Sequence, residues 1–276
     1  MSATAPSLAP VVAITNHKGG VGKTTTAVNL AAELGLVGHN VLVIDLDPQA
    51  NASLHLGVAH PASLGVNASV MFKGETIEAV AGAIQTAVNT GFKNTHFIPG
   101  SLSLDHVEDH LRAYSPQPYK ELSARVEPLR AVYDIIIIDC PPRLGLLSGN
   151  AIASATHYLI PIETNSQYPL HGVTDLHAFI NRMSKALNPD LINLGVLLTR
   201  HDERRRTCKA IAQSAKDMVG SILPIIIHSS TKVGEASVSR CPIRKIERDG
   251  RVTKDYESLA AYLAEILALQ KNGDAA

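Results

Sequence analysis

The sequence predicts an α/β fold with a mostly parallel sheet and helices on both faces. Short aliphatic runs alternate along the chain with segments of helical pattern. The runs are continuously apolar rather than alternating, which is typical of strands that helices cover on both faces. Hydrophobic residues make up 45% of the 276 residues, a composition that suits one large domain with an aliphatic core. We therefore expect a single domain over residues 11–270, with tails at 1–10 and 271–276.

Seven runs are predicted to be strands because each is short, aliphatic and bounded by turn residues. They are Val11–Thr15, Val41–Asp45, His96–Ile98, Asp134–Asp139, Tyr158–Ile162, Leu194–Thr199 and Ile222–Ile227. Helical periodicity and end signals predict four helices. They are Thr24–Gly35, Glu75–Asn89, Gly172–Leu187 and Tyr256–Gln270. The alternation of strands and helices predicts βαβ units, and these units favour a parallel sheet.

A loop rich in glycine and lysine joins the first predicted strand to the first predicted helix. It reads His17-Lys-Gly-Gly-Val-Gly-Lys-Thr-Thr25. Its glycines allow successive backbone N–H groups to face an anion, and the helix N-terminus adds a positive dipole end. Lys23 can reach the β and γ phosphates of a nucleotide, and the Thr24 hydroxyl can bind Mg²⁺. The predicted nucleotide-binding residues are Lys18, Gly19, Gly20, Val21, Gly22, Lys23, Thr24 and Thr25.

Two further motifs place carboxylates at the ends of predicted strands. Asp45-Leu-Asp-Pro-Gln49 carries two carboxylates two residues apart, on one side of the chain. Asp139-Cys-Pro-Pro142 follows four consecutive isoleucines. The carboxyl ends of parallel strands are where α/β folds bind ligands. The motifs therefore predict a ligand site at this edge of the sheet.

Together these motifs resemble those of the ParA/MinD family of ATPases. The loop has His17 where the standard phosphate-loop pattern has its first glycine, and it has a second lysine, Lys18. This departure resembles the family's deviant Walker A motif, K-G-G-x-G-K-[ST]-[ST]. The resemblance covers roughly residues 11–265, and it implies a P-loop NTPase fold, weak ATP hydrolysis, and ATP and Mg²⁺ as cofactors. The chain has no Asn-Lys-x-Asp guanine signature, which favours ATP over GTP.

The resemblance implies a role for each residue of the motifs. Lys18 would reach across an ATP-bound homodimer to the partner's nucleotide, whereas Lys23 would contact the phosphates in its own subunit. Asp45 would lie near Mg²⁺, Asp47 would orient or activate the attacking water, and Asp139 would hold Mg²⁺ through a water. The predicted catalytic residues are thus Lys18 and Asp47, and the predicted metal residues are Thr24, Asp45 and Asp139. The stretch Glu163–His171 departs from the family pattern, so the family's partner contacts there are not transferred to this chain.

Positive charge is concentrated in residues 200–254, the basic segment, although the whole chain has no net charge. The basic segment carries 13 Lys and Arg against 6 Asp and Glu, whereas residues 1–199 carry 11 against 15. Basic side chains at phosphates give salt-sensitive DNA binding without sequence preference. With the family resemblance, the segment predicts binding of nonspecific double-stranded DNA. The predicted contacts are Arg204, Arg205, Arg206, Lys209, Arg240, Arg244 and Lys245.

The resemblance therefore implies a dimeric, ATP-dependent switch that positions DNA or protein cargo. A ParB-like or cargo-linked activator protein would stimulate hydrolysis. About ten residues precede the first strand, which favours the small, Soj-like members without an N-terminal helix-turn-helix domain. The three scattered cysteines suggest no disulfide framework, so we expect a cytoplasmic protein. The resemblance further implies association with the nucleoid. Plasmid, chromosome, chemoreceptor array and microcompartment all remain open as cargo.

Two alternatives share this scaffold. A MinD-like membrane-associated ATPase would end in a basic amphipathic helix on anionic lipid. Residues 258–271 contain one lysine and one glutamate, so we expect no stable membrane anchoring. A metabolic or electron-transfer enzyme, such as nitrogenase iron protein or dethiobiotin synthetase, is the second alternative. The cysteines match no iron–sulfur cluster pattern, which argues against the former.

Overall fold

The computed structural model describes residues 8–57, 59–72, 74–165 and 172–270. Residues 1–7 and 271–276 of the predicted tails, and residues 166–171 of the divergent stretch, lie outside the described residues. Ala9 is already buried, and its N–H donates to the Arg130 carbonyl oxygen at 2.9 Å. Packing against the domain therefore begins before the first strand.

Eight strands are present in the described part of the chain. They are β1 (Val11–Ile14), β2 (Val41–Asp45), β3 (Gln85–Thr86), β4 (Thr95–Ile98), β5 (Ile135–Asp139), β6 (His157–Glu163), β7 (Ile192–His201) and β8 (Ile222–His228). They form one sheet in the order β3-β4-β2-β5-β1-β6-β7-β8. Every pairing is parallel except that of β3 with β4 at one edge. The predicted fold class is confirmed.

Ten α-helices connect and follow the strands in the described ranges. They are α1 (Lys23–Leu36), α2 (Asn51–Leu56), α3 (Ile77–Gly82), α4 (Val107–Tyr114), α5 (Glu121–Val126), α6 (Leu146–Ser154), α7 (Val173–Leu187), α8 (Arg206–Val219), α9 (Lys232–Val238) and α10 (Arg251–Ile266). The predicted helices at Thr24–Gly35 and Gly172–Leu187 correspond to α1 and α7. The last predicted helix, Tyr256–Gln270, begins five residues earlier in the structure, at Arg251.

The helices cover both faces of the sheet, as the continuous apolar runs predicted. Strand β5 illustrates the arrangement, because its four isoleucines alternate between two hydrophobic clusters. Ile136 and Ile138 belong to the cluster that includes residues of α4 to α8. Ile135 and Ile137 belong to the cluster that includes residues of α1, α2, α9 and α10. A strand buried on both faces has no polar alternation, and this explains the run of isoleucines.

The predicted helix over Glu75–Asn89 is wrong in its second half. Helix α3 begins after Thr76, whose side-chain oxygen accepts a hydrogen bond from the Ala79 N–H, and it ends at Gly82. Residues Gln85 and Thr86 instead pair antiparallel with β4. The edge of β4 offers unpaired backbone groups, and the extended chain buries Ala87 completely. Tertiary pairing thus overrides the helical periodicity.

The apolar side of α10 faces the protein core. Tyr256, Leu259 and Leu263 are buried in the same cluster as residues of α1. Within the described residues, no helix combines the length and apolar character needed to cross a membrane. The apolar face of α10 is therefore used for packing.

Helix α1 is joined to the basic segment by two polar contacts. The Asn29 side-chain oxygen accepts a hydrogen bond from the Ile243 N–H at 2.8 Å. The Glu33 carboxylate, whose side chain is 2% exposed, accepts from the Arg244 Nε at 2.8 Å. Arg244 also contacts Glu257 of α10 at 3.4 Å. Its guanidinium therefore stabilises the packing of α1 against α10, although the sequence predicted a DNA contact.

We predict that Arg244→Ala lowers the free energy of unfolding by about 3 kcal/mol, because it leaves the Glu33 carboxylate buried without its countercharge. Urea unfolding followed by circular dichroism measures this change. The matched control is Lys245→Ala, which removes an exposed neighbouring charge and should change stability by less than about 0.5 kcal/mol. Equal unfolding midpoints for the two variants would contradict the packing role.

Candidate functional site

The glycine-rich loop lies between β1 and α1, at the carboxyl edge of the sheet. Gly20 and Gly22 have φ angles of +77° and +93°, which side chains with a Cβ atom rarely adopt. A Cβ atom at Gly19 or Gly20 would meet no heavy atom within 4 Å, so the space above the loop is open. The loop therefore forms an accessible cradle for phosphates at the start of α1.

Two side chains that the sequence analysis did not identify hold the loop in place. The Asn16 amide donates to the Pro161 carbonyl at 2.8 Å, and its oxygen accepts from the Lys18 N–H at 3.0 Å. The Thr199 hydroxyl donates to the Val21 carbonyl at 2.8 Å. The loop is thus fixed by β6 and β7 as well as by its own strand. The hydrogen bonds from Asn16 to Pro161 and from Thr199 to Val21 join residues far apart in the sequence, so no local pattern indicates them.

Lys23 and Thr24 begin helix α1 beneath the loop. The Lys23 ammonium, on a residue only 7% exposed, donates to the Lys18 carbonyl at 3.1 Å. Burial lowers the pKa of Lys23, and the nearby Asp139 carboxylate opposes this shift. The Thr24 hydroxyl donates to the Asp139 carboxylate at 2.7 Å. A cation, a hydroxyl and a carboxylate thus converge at the phosphate cradle.

Asp45 and Asp139 end neighbouring strands and are partners in the parallel register of β2 and β5. Both residues are completely buried. Burial raises the pKa of Asp45 to about 6, although hydrogen bonds from Ser53 and the Asp47 N–H oppose the shift. Burial also raises the pKa of Asp139 well above its usual value, and the nearby Asp45 adds to this effect. Two adjacent buried carboxylates create a site that favours a cation.

The hydrogen bonds of these two carboxylates differ. One Asp45 oxygen accepts from the Ser53 N–H at 2.9 Å and from the Ser53 hydroxyl at 2.6 Å, and the other accepts from the Asp47 N–H at 3.1 Å. Asp139 accepts from Thr24 through one oxygen, while its buried Oδ1 atom has no hydrogen-bond partner. Asp139 is therefore the carboxylate with an oxygen left for a metal or its water.

These residues fit Mg²⁺ bound together with a nucleotide. Mg²⁺ is usually held by one or two protein oxygens, several waters and substrate phosphates rather than by a complete protein cage. The Thr24 hydroxyl and the unpartnered Asp139 oxygen supply such a set. Across the part of the chain that the structure describes, no cluster of three or more His, Cys, Asp or Glu side chains could hold a metal alone.

Asp47 follows β2 in a tight turn next to the carboxylates. Its side-chain Oδ1 atom accepts from the Gln49 N–H at 3.0 Å, and its carbonyl accepts from the Ala50 N–H at 2.8 Å. Ala50 has a φ of +52°, an uncommon conformation for alanine. Asp47 also lines a cavity of about 130 Å³ together with Glu108 and Arg143. The turn thus holds the Asp47 carboxylate through the Gln49 N–H, and residue 47 borders a space large enough for water.

The turn is packed closely against the end of β4 by Gly100. A Cβ atom at this position would lie 2.7 Å from the Asp47 carbonyl oxygen and 2.9 Å from the Asp45 carboxyl carbon. Any side chain would displace one of the two aspartates. No local sequence pattern indicates Gly100, because its importance depends on a contact between separate strands.

The predicted DNA residues lie in two groups. Arg204, Arg205, Arg206 and Lys209 are exposed around the start of α8, whereas Arg240 and Lys245 are exposed between α9 and α10. Arg204 pairs with Asp202 at 3.1 Å, but its side chain is 91% exposed, and such pairs contribute little stability. Arg205 donates a hydrogen bond to Asn165, the last described residue before the gap.

The strand–loop–helix geometry, the phosphate cradle and the buried carboxylates define a P-loop nucleotide-binding protein. Comparison with known proteins refines this class. A family model described as an AAA domain matches residues 9–193, more than half of the chain. The chromosome partitioning protein ParA of Myxococcus xanthus is 32% identical over 92% of this chain and 87% of its own length. The sporulation initiation inhibitor protein Soj of Bacillus subtilis is 34% identical over 92% of this chain and 98% of its own length.

A solved structure shows how widely the fold is shared. Cobyrinic acid a,c-diamide synthase from Mycobacterium smegmatis, with a bound ATP analogue and magnesium, matches with a TM-score of 0.78 at 26% identity. The match covers 96% of this chain and 98% of that chain. The fold alone therefore does not separate a partition ATPase from a metabolic enzyme, whereas the sequence relatives do. The chain belongs to the ParA/Soj family of ATPases, as the motifs predicted.

We predict that Lys23→Ala abolishes ATP binding, with a loss of affinity of about a hundredfold or more. The reason is that the variant removes the cation at the start of α1 that faces the phosphate cradle. Isothermal titration calorimetry with a non-hydrolysable ATP analogue measures the affinity.

Lys18→Ala is the matched control, because it removes a lysine from the same loop while the Lys18 backbone contacts to Asn16 and Lys23 remain possible. We expect ATP binding close to wild type in this variant. Normal affinity in Lys23→Ala would overturn the assignment of the phosphate loop.

Proposed function

We propose that this protein is an ATP-dependent dimeric switch that binds nonspecific double-stranded DNA and positions DNA or protein cargo. The observation that carries the proposal is the second lysine of the phosphate loop. The Lys18 N–H is held by Asn16, and its carbonyl accepts from Lys23, so the backbone of residue 18 is fixed at the cradle. A lysine fixed at this position suits contact with the nucleotide of a second copy of the chain.

In this proposal, different groups of the chain have separate roles in ATP hydrolysis. The N–H groups of the loop and Lys23 bind the phosphates, and Lys18 of the second copy offsets the charge that develops on them. Asp47 orients the attacking water. Thr24 and Asp139 would hold Mg²⁺, which would neutralise phosphate charge. Asp45 lies behind this set and holds the Asp47 N–H.

The basic segment supplies the proposed DNA surface. Among its predicted contacts, Arg206, Lys209, Arg240 and Lys245 are exposed and Arg204 is only weakly engaged by Asp202. Arg244 is excluded, because its guanidinium pairs with Glu33. Contacts of this kind bind phosphates without reading bases. They suit a protein that covers the nucleoid in the cytoplasm rather than one that recognises an operator.

The proposed cycle couples the nucleotide site to the proposed DNA surface. ATP binding forms the dimer, the dimer binds DNA, and a ParB-like or cargo-linked activator stimulates hydrolysis and release. The names of the relatives, a chromosome partitioning protein ParA and Soj, support a role in positioning. The same site would serve a membrane-based cycle, but the buried apolar side of α10 does not favour one. The decisive experiment compares DNA and anionic vesicles as binding partners with ATP, with ADP and without nucleotide.

We predict that Asp47→Ala retains ATP binding and dimerisation. Its rate of ATP hydrolysis should fall by about a hundredfold or more, because it lacks the carboxylate that orients water. The protein should then remain on DNA after ATP is added. Phosphate release and DNA cosedimentation measure the two effects.

Asp105→Ala is the matched control for this variant, because its carboxylate lines the same cavity on an exposed residue. We expect phosphate release at the wild-type rate in the control. A wild-type rate in Asp47→Ala as well would show that Asp47 is not catalytic.

We predict that replacing Arg204, Arg205 and Arg206 with Ala weakens ATP-dependent DNA binding equally for any duplex sequence. Each lost phosphate contact should reduce the slope of log affinity against log salt by about 0.9. Dimerisation and basal hydrolysis should survive, because these arginines lie outside the phosphate loop and the carboxylate site. Filter binding with two unrelated duplexes across a salt series measures the slope.

The control removes three exposed lysines from elsewhere, Lys93, Lys120 and Lys185, so that the change in net charge is the same. We expect its salt slope to match the wild type. If both triple variants kept the wild-type salt slope, the DNA contact would be assigned to Arg240 and Lys245 instead. Binding of the wild type to anionic vesicles but not to DNA would favour the membrane-based alternative.

A further inference from the structure

Ser53 connects the ends of two strands beneath the proposed catalytic turn. It lies on α2, eight residues after Asp45, and is 1% exposed. Its hydroxyl donates to an Asp45 carboxylate oxygen at 2.6 Å and accepts from the Gly100 N–H at 2.9 Å. Its own N–H donates to the same Asp45 oxygen at 2.9 Å. The motifs of the sequence do not include this residue.

The polarity of these hydrogen bonds is fixed. A hydroxyl has one proton, and the Gly100 N–H can only donate, so the Ser53 proton must point to Asp45. The Asp45 carboxylate is held through one oxygen by two donors from Ser53. Its other oxygen is therefore directed at the Asp47 N–H, 3.1 Å away. Rotation of the carboxylate would release the backbone of Asp47.

We propose that Ser53 is a positioning residue for ATP hydrolysis. It fixes the position of Asp47 through the Asp45 carboxylate. This inference rests on the proposed catalytic role of Asp47. Ser53 touches neither nucleotide nor water in this scheme, and its effect passes along the bonds from its hydroxyl to Asp45 and from Asp45 to the Asp47 N–H.

The hydroxyl is needed because the site is closed to water. Asp45 and Ser53 are both buried, so water does not replace a lost donor at low cost. Without the hydroxyl, the Gly100 N–H loses its acceptor and Asp45 keeps one donor on that oxygen instead of two. Gly100 approaches both aspartates so closely that a small shift of its backbone moves the turn. The turn holds Ala50 at a φ of +52°, an uncommon conformation that the surrounding hydrogen bonds must maintain.

The test measures hydrolysis, nucleotide binding and local opening in Ser53→Ala. We expect kcat to fall about tenfold or more while ATP affinity stays within about twofold, because the cradle and Lys23 are unchanged. Amide hydrogen exchange should rise in the peptide that contains Asp47 and Ala50. Ser53→Thr retains a hydroxyl and should restore both kcat and protection from exchange.

Thr90→Val is the matched control. The Thr90 hydroxyl is also buried, donates to the Ala87 carbonyl at 2.7 Å and accepts from the Phe92 N–H at 3.1 Å, but it lies away from the carboxylates. This variant should lose stability without a change in kcat. It therefore separates the loss of a buried hydroxyl in general from the loss of this one.

Three results would overturn the inference. The first is a wild-type kcat in Ser53→Ala, the second is an equal fall of kcat in Thr90→Val, and the third is a Ser53→Thr variant as slow as Ser53→Ala. Asp47→Ala, assayed in parallel, keeps the two hypotheses apart. If Asp47→Ala hydrolyses ATP normally, the proposed role of Asp47 fails. If Asp47→Ala is inactive and Ser53→Ala is normal, only the positioning role of Ser53 fails.

Discussion

Two carboxylates buried side by side, Asp45 and Asp139, are the constraint on which the site depends. The register of β2 and β5 places them together, and neither is exposed to water. Such a pair is costly unless donors or cations compensate it. The structure treats the two differently: donors from Ser53 and Asp47 fully engage Asp45, whereas Asp139 retains a buried oxygen without a partner. Asp45 thus holds the neighbouring backbone in place, whereas Asp139 retains an oxygen that can accept a bound cation.

Helix α1 contacts both the phosphate cradle and the basic segment. Its first residues, Lys23 and Thr24, face the phosphate cradle and Asp139. Further along the same helix, Asn29 and Glu33 hold the basic segment at Ile243 and Arg244. A buried ion pair of this kind resists separation, because either partner alone would leave an uncompensated charge. A single rigid helix therefore lies between the nucleotide and the segment proposed to bind DNA.

The sequence predicted the parts of the molecule that depend on local pattern. The phosphate loop and the isoleucines of β5 are contiguous signals, and the structure places both where the pattern indicated. The roles of Asn16, Thr199 and Gly100 were not predicted, because these residues act through contacts between distant strands. Arg244 shows a third limit: composition counts a positive charge, but it does not show that a buried carboxylate already neutralises it.

The central position of β1 has a consequence for how the chain is made. Val11–Ile14 pair with β5 on one side and β6 on the other, and with no strand nearer in sequence. As the chain leaves the ribosome, this first strand has no partner until Ile135–Asp139 and His157–Glu163 have followed it. Non-local parallel pairing of this kind folds slowly and leaves apolar segments exposed during synthesis. The strand that leads into the phosphate loop thus gains its second neighbour only after His157–Glu163 have been synthesised, well before β7 and β8 extend the sheet.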